Sequence, residues 1–258
     1  MGTSAPEAAV SITAAIKGSA DITVGNIVGC NILNILIILG ICSVITTLSV
    51  AKSTIRAEIP IMIAITLLLL GLGYDGEIVF WEGIILLLAF VAYLTYVFFI
   101  SKNNTAQEET KELSIVKALV FTVIGLVLIV WGSDVTVDAA TKIAKQLGLS
   151  ERFIGLTIVA LGTSLPELFT SVLAARKGNA DIAIGNIVGS NIFNILFVVG
   201  ISAVIIPVPF ASGFRFDTLV AVFAAVLLLV CPIKDRKLKR WAGILMLLCY
   251  AAYFAIIW

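Results

Sequence analysis

The chain has 258 residues, of which 60% are hydrophobic and 13% charged, with a mean hydropathy of +1.14, a formal charge of +1 and no histidine. Soluble domains average about 25% charged residues, so this composition excludes a water-soluble enzyme. The balanced charge excludes a basic, nucleic-acid-binding protein, and the missing imidazole excludes a Ser/His triad or a histidine-ligated metal.

Apolar runs between polar breaks predict an all-α membrane protein with segments at 2–17, 24–48, 59–73, 79–100, 114–133, 152–175, 182–206, 216–233 and 240–258. Trp81, Trp241 and Trp258 fall at segment ends, where an aromatic belt belongs. The four cysteines (Cys30, Cys42, Cys231, Cys249) lie in apolar stretches without C-x-x-C spacing and read as small core residues. Counting Lys and Arg on alternate loops gives 12 for the set 49–58, 101–117, 176–181 and 234–240, against 5 for the other set. The positive-inside rule therefore places the first set in the cytoplasm and the C-terminus outside, in a multi-pass cell (inner) membrane protein.

An ungapped repeat dominates the sequence. Residues 2–41 and 162–201 are identical at 25 of 40 positions at an offset of 160, and Trp81, Gly83 and Tyr93 fall on Trp241, Gly243 and Tyr253. The loops 17–21 (KGSAD) and 177–181 (KGNAD) fall on opposite sides by the charge count, so the copies are inverted, a pattern of secondary transporters with a site at the midplane. A purely structural duplication would keep apolar packing positions best; here the polar positions match best. The expected organisation is a first repeat unit at 1–100, a cytoplasmic linker at 101–113 and a second unit at 114–258. The second copy carries 113–161 ahead of its motif, so by the repeat the first copy is expected to lack one and a half helices.

Of sixteen acidic residues, Glu7 and Glu167 are read as the two that lie well inside apolar stretches, with no Lys or Arg at that depth to pair them. Such carboxylates are costly and point to function, against the alternative of a protonated or paired interhelical contact. Each follows a proline in G-T-S-x-P-E. Pro6 and Pro166 lack an N–H, which frees the carbonyls of Gly2 and Gly162 beside the hydroxyls of Thr3, Ser4, Thr163 and Ser164. A simple kink closed by Ser/Thr hydrogen bonds is the plainer reading of one such motif; two copies, each with a glutamate, argue for a site.

The second motif is G-N-I-V-G-[CS]-N-I-[LF]-N at 25–34 and 185–194. Gly25, Gly29, Gly185 and Gly189 form G-x-x-x-G pairs expected to serve close helix packing. Asn31, Asn34, Asn191 and Asn194 supply amide oxygens, and these or Asn26 and Asn186 could equally act as interhelical glue. An all-oxygen donor set suits hard cations, and Ca2+ takes six to eight oxygens in flexible geometry.

The paired GTSAPE/GTSLPE and GNIVGCNILN/GNIVGSNIFN motifs resemble the α-repeats of the sodium/calcium exchanger family, within the cation/calcium antiporter superfamily, and the short 101–113 stretch is similar to prokaryotic members. The resemblance implies a ten-helix inverted-repeat antiporter of five-helix units that exchanges Ca2+ for Na+ by alternating access, as a monomer in membrane lipid. It implies no cofactor beyond the transported Ca2+ and Na+. It assigns Ca2+ to Glu7 and Glu167, and flanking Na+ sites to Thr3, Ser4, Cys30 and Asn34 and to Thr163, Ser164, Ser190 and Asn194, with the Ala160 carbonyl contributing. Many relatives carry Asp where this chain has Asn34 or Asn194, which bears on stoichiometry and potassium dependence. The proton-coupled branch resembles G-N-x-x-E where this chain has G-N-I-V-G, which favours Na+ over H+. Ca2+/H+ and potassium-dependent Na+/Ca2+ exchange are the alternatives within the class. Outside it stand an ion channel of this fold and an intramembrane acid-dyad hydrolase, for which Gly71-Leu72-Gly73-Tyr74-Asp75 offers a G-x-G and Y-D fragment that reads more simply as a turn.

Overall fold

The structure, a computed structural model, describes residues 2–18, 21–103, 114–146, 148 and 154–257. The first repeat begins with α1 (Ala5–Ile16) and α2 (Asp21–Leu33), which runs through a π-helical stretch (Asn34–Leu39) into α3 (Gly40–Ile45). After β1 (Leu48–Ser49), a second π stretch (Thr54–Glu58) opens α4 (Ile59–Leu72); a turn (Gly73–Asp75) and β2 (Glu77–Ile78) lead to α5 (Phe80–Asn103). The second repeat follows with α6 (Ile115–Gln146), a π stretch (Gly155–Val159) continuing into α7 (Ala160–Thr163), then α8 (Leu165–Arg176) and α9 (Ala180–Phe193). It ends with a π stretch (Asn194–Val199), α10 (Gly200–Ile205), β3 (Val208–Pro209), α11 (Ser212–Val230), β4 (Lys237–Leu238) and α12 (Arg240–Ile257).

Six helices among the described residues are long and apolar enough to cross a membrane, and seven if the bent pair Leu156–Thr163 and Leu165–Arg176 counts as one span. The motif-bearing spans Thr23–Ile45 and Ala180–Ile205 are the most enclosed, at 83% and 72% buried, while Phe80–Ile100 and Arg240–Ile257 are 17% and 22% buried. Two apolar rods therefore sit at the centre, and the outer helices turn side chains such as Leu88, Phe98, Phe223 and Leu248 outward, as a lipid-facing surface requires. Trp81 and Trp241 are exposed at their span ends, whereas Trp258 lies outside the described residues.

Strand pairing makes the inversion visible. β1 pairs antiparallel with β4 (Leu48 with Leu238, Ser49 with Lys237), and β2 with β3 (Ile78 with Val208, Glu77 with Pro209). Adding 160 turns β1 into β3 and β2 into β4, so the shift exchanges the two sheets. Because the span Thr54–Asp75 separates β1 from β2, the sheets lie at opposite ends of the molecule. Glycine crossings repeat in the same way. A Cβ on Gly243 would lie 2.6 Å from the Gly40 carbonyl, and one on Gly83 would lie 2.7 Å from the Gly200 carbonyl. Only glycine lets α12 cross α3, and α5 cross α10, this closely.

Several expectations need correction. The segment expected at 114–133 is a helix to Gln146, since the polar tail 134–146 holds no proline or glycine and spaces Asp138 and Lys142 one turn apart, acid first. The kink expected from Pro166 within 152–175 is there, as two helices meeting at 55°. The packing role expected of the G-x-x-x-G glycines holds at Gly29, where a Cβ would lie 2.7 Å from the Leu156 carbonyl. It does not hold at Gly185 or Gly189, which meet nothing within 4 Å, because no described helix is laid against them as Gly155–Val159 is against Gly29. The linker expected at 101–113 lies largely outside the described residues.

Candidate functional site

The site begins with the two prolines. Ser4 (φ −85°, ψ 11°) and Ser164 (φ −86°, ψ 5°) take nearly the same non-helical conformation just ahead of α1 and α8. Pro6 and Pro166 sit within the first two residues of those helices, where a missing N–H costs nothing, and the chain bends by 55° ahead of α8. The Gly2 carbonyl is not left free as expected: it accepts a long bond from Ala5 N at 3.4 Å.

The bends place Glu7 and Glu167 on the first turn of α1 and α8, both with no solvent exposure. Each carboxylate is held by the serine of the other repeat. Ser4 Oγ donates to Glu167 Oε1 at 2.9 Å, and Ser164 Oγ donates to Glu7 Oε1 at 3.2 Å. The remaining oxygens, Glu7 Oε2 and Glu167 Oε2, are buried and have no donor.

The asparagines divide into two kinds. Asn31 and Asn191 lace α2 to α9: Asn31 Nδ2 donates to the Asn191 carbonyl at 3.3 Å, and Asn191 Nδ2 donates to the Asn31 carbonyl at 3.2 Å. Their side-chain oxygens in turn accept from Asn194 Nδ2 (3.2 Å) and Asn34 Nδ2 (2.9 Å). With Nδ2 committed, Asn34 and Asn194 keep Oδ1 buried and without a donor. The glue reading thus fits Asn31 and Asn191, and the free-oxygen reading fits Asn34 and Asn194. Asn26 and Asn186 are also glue, accepting from Thr163 Oγ1 (3.2 Å) and Thr3 Oγ1 (3.1 Å) and donating to Ser11 Oγ (3.0 Å) and Ser171 Oγ (3.4 Å).

Asn34 and Asn194 also open the π-helical stretches Asn34–Leu39 and Asn194–Val199. An inserted residue in a helix redirects side chains, and such bulges recur at functional sites. Nothing in the residue pattern announces these stretches except their repetition at the common offset.

Among the polar positions of the site the copies differ at one. Ser190 Oγ donates to Glu167 Oε1 at 3.2 Å. Its counterpart Cys30 makes no hydrogen bond to Glu7; its sulfur lies 3.2 Å from Thr163 Oγ1 and 3.5 Å from the Ala160 carbonyl. That carbonyl also accepts Ser164 N at 3.0 Å, so the carbonyl expected as a ligand already carries internal bonds. Among the described residues the ten expected residues fall into four hydrogen-bonded groups: Thr3 with Asn186; Ser4 and Ser190 on Glu167; Glu7 with Ser164, Ala160 and Thr163; and Asn34 and Asn194, linked through Asn191 and Asn31.

Two residues escaped the sequence reading. Ser11 and Ser171 hold the Asn26 and Asn186 amides, and their matching positions in the repeats were the available signal. The reading that only Glu7 and Glu167 are enclosed acids fails at Asp217, which has no solvent exposure and accepts from Tyr253 Oη at 3.1 Å. Helix α11 starts at Ser212, earlier than the expected 216, and carries Asp217 inward against α12. Asp75 ends the turn after α4 and is exposed rather than enclosed at membrane depth, where an intramembrane acid pair would have to sit.

Taken together, Glu7 Oε2, Glu167 Oε2, Asn34 Oδ1 and Asn194 Oδ1 are four buried acceptor oxygens without donors. A buried unsatisfied polar group costs about 1–3 kcal/mol, more when charged. Two carboxylate and two amide oxygens are the donor chemistry that suits a hard cation.

A profile of the family described as "Sodium/calcium exchanger protein" matches residues 1–99 and 117–258. The inner membrane protein YrbG of Escherichia coli is 32% identical over the whole of this chain and 83% of its own length. The sodium/calcium exchanger MaX1 of Methanosarcina acetivorans is 29% identical over all of this chain and 86% of its own. Among solved structures, the sodium-calcium exchanger NCX_Mj soaked with Na+ and Sr2+ superposes with a TM-score of 0.80 at 34% identity, covering 98% of this chain and 83% of that one.

Proposed function

Since the chain belongs to the sodium/calcium exchanger family and is a membrane-embedded secondary transporter rather than an enzyme, we propose that it exchanges Ca2+ for Na+ by alternating access, with Glu7 and Glu167 forming the central Ca2+ site. The observation that carries this reading is the set of four buried oxygens without donors, contributed two by two from the repeats. Two carboxylates neutralise one divalent ion, and the amide oxygens of Asn34 and Asn194 add neutral ligands. In this proposal Na+ binds on the flanks, through Thr3, Ser4 and Asn34 on one side and Thr163, Ser164, Ser190, Asn194 and the Ala160 carbonyl on the other. Ions that draw on the same two charges compete for them, which is what couples the exchange.

The same reading treats 1–100 and 114–258 as the repeat units and places the 101–113 linker in the cytoplasm and the C-terminus outside. The test is Ca2+ uptake by proteoliposomes under an outward Na+ gradient or an imposed pH gradient, each with and without K+. The Na+ gradient is expected to drive uptake without K+. Uptake driven by pH and indifferent to Na+ would overturn the proposal.

A further inference from the structure

At the end of the molecule closed by β1 and β4, a cavity of about 630 Å3 opens beside the sheet. Four cations line it, Lys52 and Arg56 from the helical lead-in to α4 and Lys234 and Arg236 from the loop after α11. All four are exposed, and among the described residues none makes an ion pair or a side-chain hydrogen bond. The acid within that loop, Asp235, is taken by Lys239, whose bond and charge hold its carboxyl below the usual range. The loop is a built feature: Arg236 adopts a positive φ of 52°, its N–H donates to the Pro232 carbonyl at 2.7 Å, and its own carbonyl receives Val50 N at 2.9 Å. Four like charges gathered around one opening repel each other and call for an anion.

The inverted repeat supplies an internal control. At the offset of 160, Lys52, Arg56, Lys234 and Arg236 correspond to Ser212, Phe216, Tyr74 and Gly76 at the opposite end. Among the positions matching the cavity's lining the one cation, Arg215 (the counterpart of Ile55), lies 4.6 Å over the Tyr74 ring and donates to the Tyr74 carbonyl, while Phe210 packs onto Gly73 so tightly that a Cβ there would lie 2.4 Å from the ring. The same architecture is filled at one end and open and basic at the other, so the opening is not a by-product of the fold.

We infer that this cavity binds the phosphate headgroup of an anionic phospholipid. Its apolar wall decides for a lipid. Leu229 and Ile233 line it, and Ile233 (59% exposed) continues the outward face of α11 through Val230 (56% exposed), a path for acyl chains leading away from the four cations. The cavity also lies at the ends of spans, on the face that the count of basic residues assigns to the cytoplasm, where anionic headgroups meet basic pockets between helices.

The test is thermal unfolding of the purified chain in neutral detergent, titrated with phosphatidylglycerol, phosphatidylcholine or inorganic phosphate. Phosphatidylglycerol alone is expected to raise the melting midpoint, and R56Q/R236Q should need roughly tenfold more of it or higher. R176Q/K177Q, which removes the same charge from another loop of that face, should behave as the parent, and K52Q/K234Q should repeat the loss if the arginine pair does not fold. A parent-like response in both cavity variants, an equal loss in R176Q/K177Q, an equal shift with phosphatidylcholine, or the same shift with inorganic phosphate would each overturn the inference.

Discussion

The two repeats build the same site with one atom exchanged. Around Glu167, Oε1 accepts hydroxyls from Ser4 and Ser190; around Glu7, Oε1 accepts only Ser164, because Cys30 turns its sulfur toward Thr163 and Ala160. Elsewhere the bonds pair off: Asn34 to Asn191 with Asn194 to Asn31, and Thr3 to Asn186 with Thr163 to Asn26. An inverted duplication does not therefore require equal halves. In the proposed Ca2+ site the Glu7 carboxylate, with fewer internal donors, would keep more of its charge for the ion, while Glu167 is held by one more hydroxyl.

The largest expected effect comes from breaking either half outright. Glu7→Gln or Glu167→Gln removes one of the two charges that balance a divalent ion, and Na+-driven Ca2+ uptake should fall by roughly two orders of magnitude or more. Folding should persist, read as an unchanged melting midpoint, since an amide oxygen can still accept the serine hydroxyl. Near-parental uptake in both variants would remove the glutamates from the site.

A middle-sized effect separates the repeats by packing. Gly83→Ala and Gly243→Ala both push a methyl into a carbonyl of the crossing helix, for about 1–3 kcal/mol of destabilisation. Gly243→Ala should cost more, because its Cβ would also lie 2.1 Å from Ser43 Oγ, which must leave its bond to the Gly40 carbonyl; at the matching contact of the other copy stands Ala203. Ser43→Ala in the Gly243→Ala background should narrow the difference, measured by thermal unfolding in detergent.

The smallest change erases the asymmetry itself. Cys30→Ser restores a hydroxyl that can reach Glu7 as Ser190 reaches Glu167, and the Na+ concentration for half-maximal exchange should shift by about two- to fivefold, the scale of one hydrogen bond. An identical Na+ dependence in Cys30→Ser and the parent would show that the sulfur position takes no part in Na+ binding.

The sequence made the architecture and the polar cluster legible because duplication marked them: a glutamate, a proline and three asparagines repeated at one offset leave few other readings. What stayed hidden was set by tertiary contact. Asp217 looks like a span-end acid in SGFRFD until Tyr253, on a helix 36 residues away, receives it. Gly189 reads like Gly29 until the neighbour of each is known. The π-helical turns at Asn34 and Asn194, which separate the free amide oxygens from the laced ones, change the spacing of side chains without changing their chemistry.

The two short sheets carry a mechanical consequence. Each takes one strand from each repeat, so both ends of the molecule are tied across the repeat boundary by backbone hydrogen bonds. Separating the halves like a hinged clam would tear a ribbon at one end or the other. The ribbons join the chain flanking α3, α4 and α5 to that flanking α10, α11 and α12 into one closed frame, and they leave α1, α6 and the bent α7–α8 pair outside it. In the proposed transport cycle, access must then change by motion of these unlashed helices against a frame that keeps its shape.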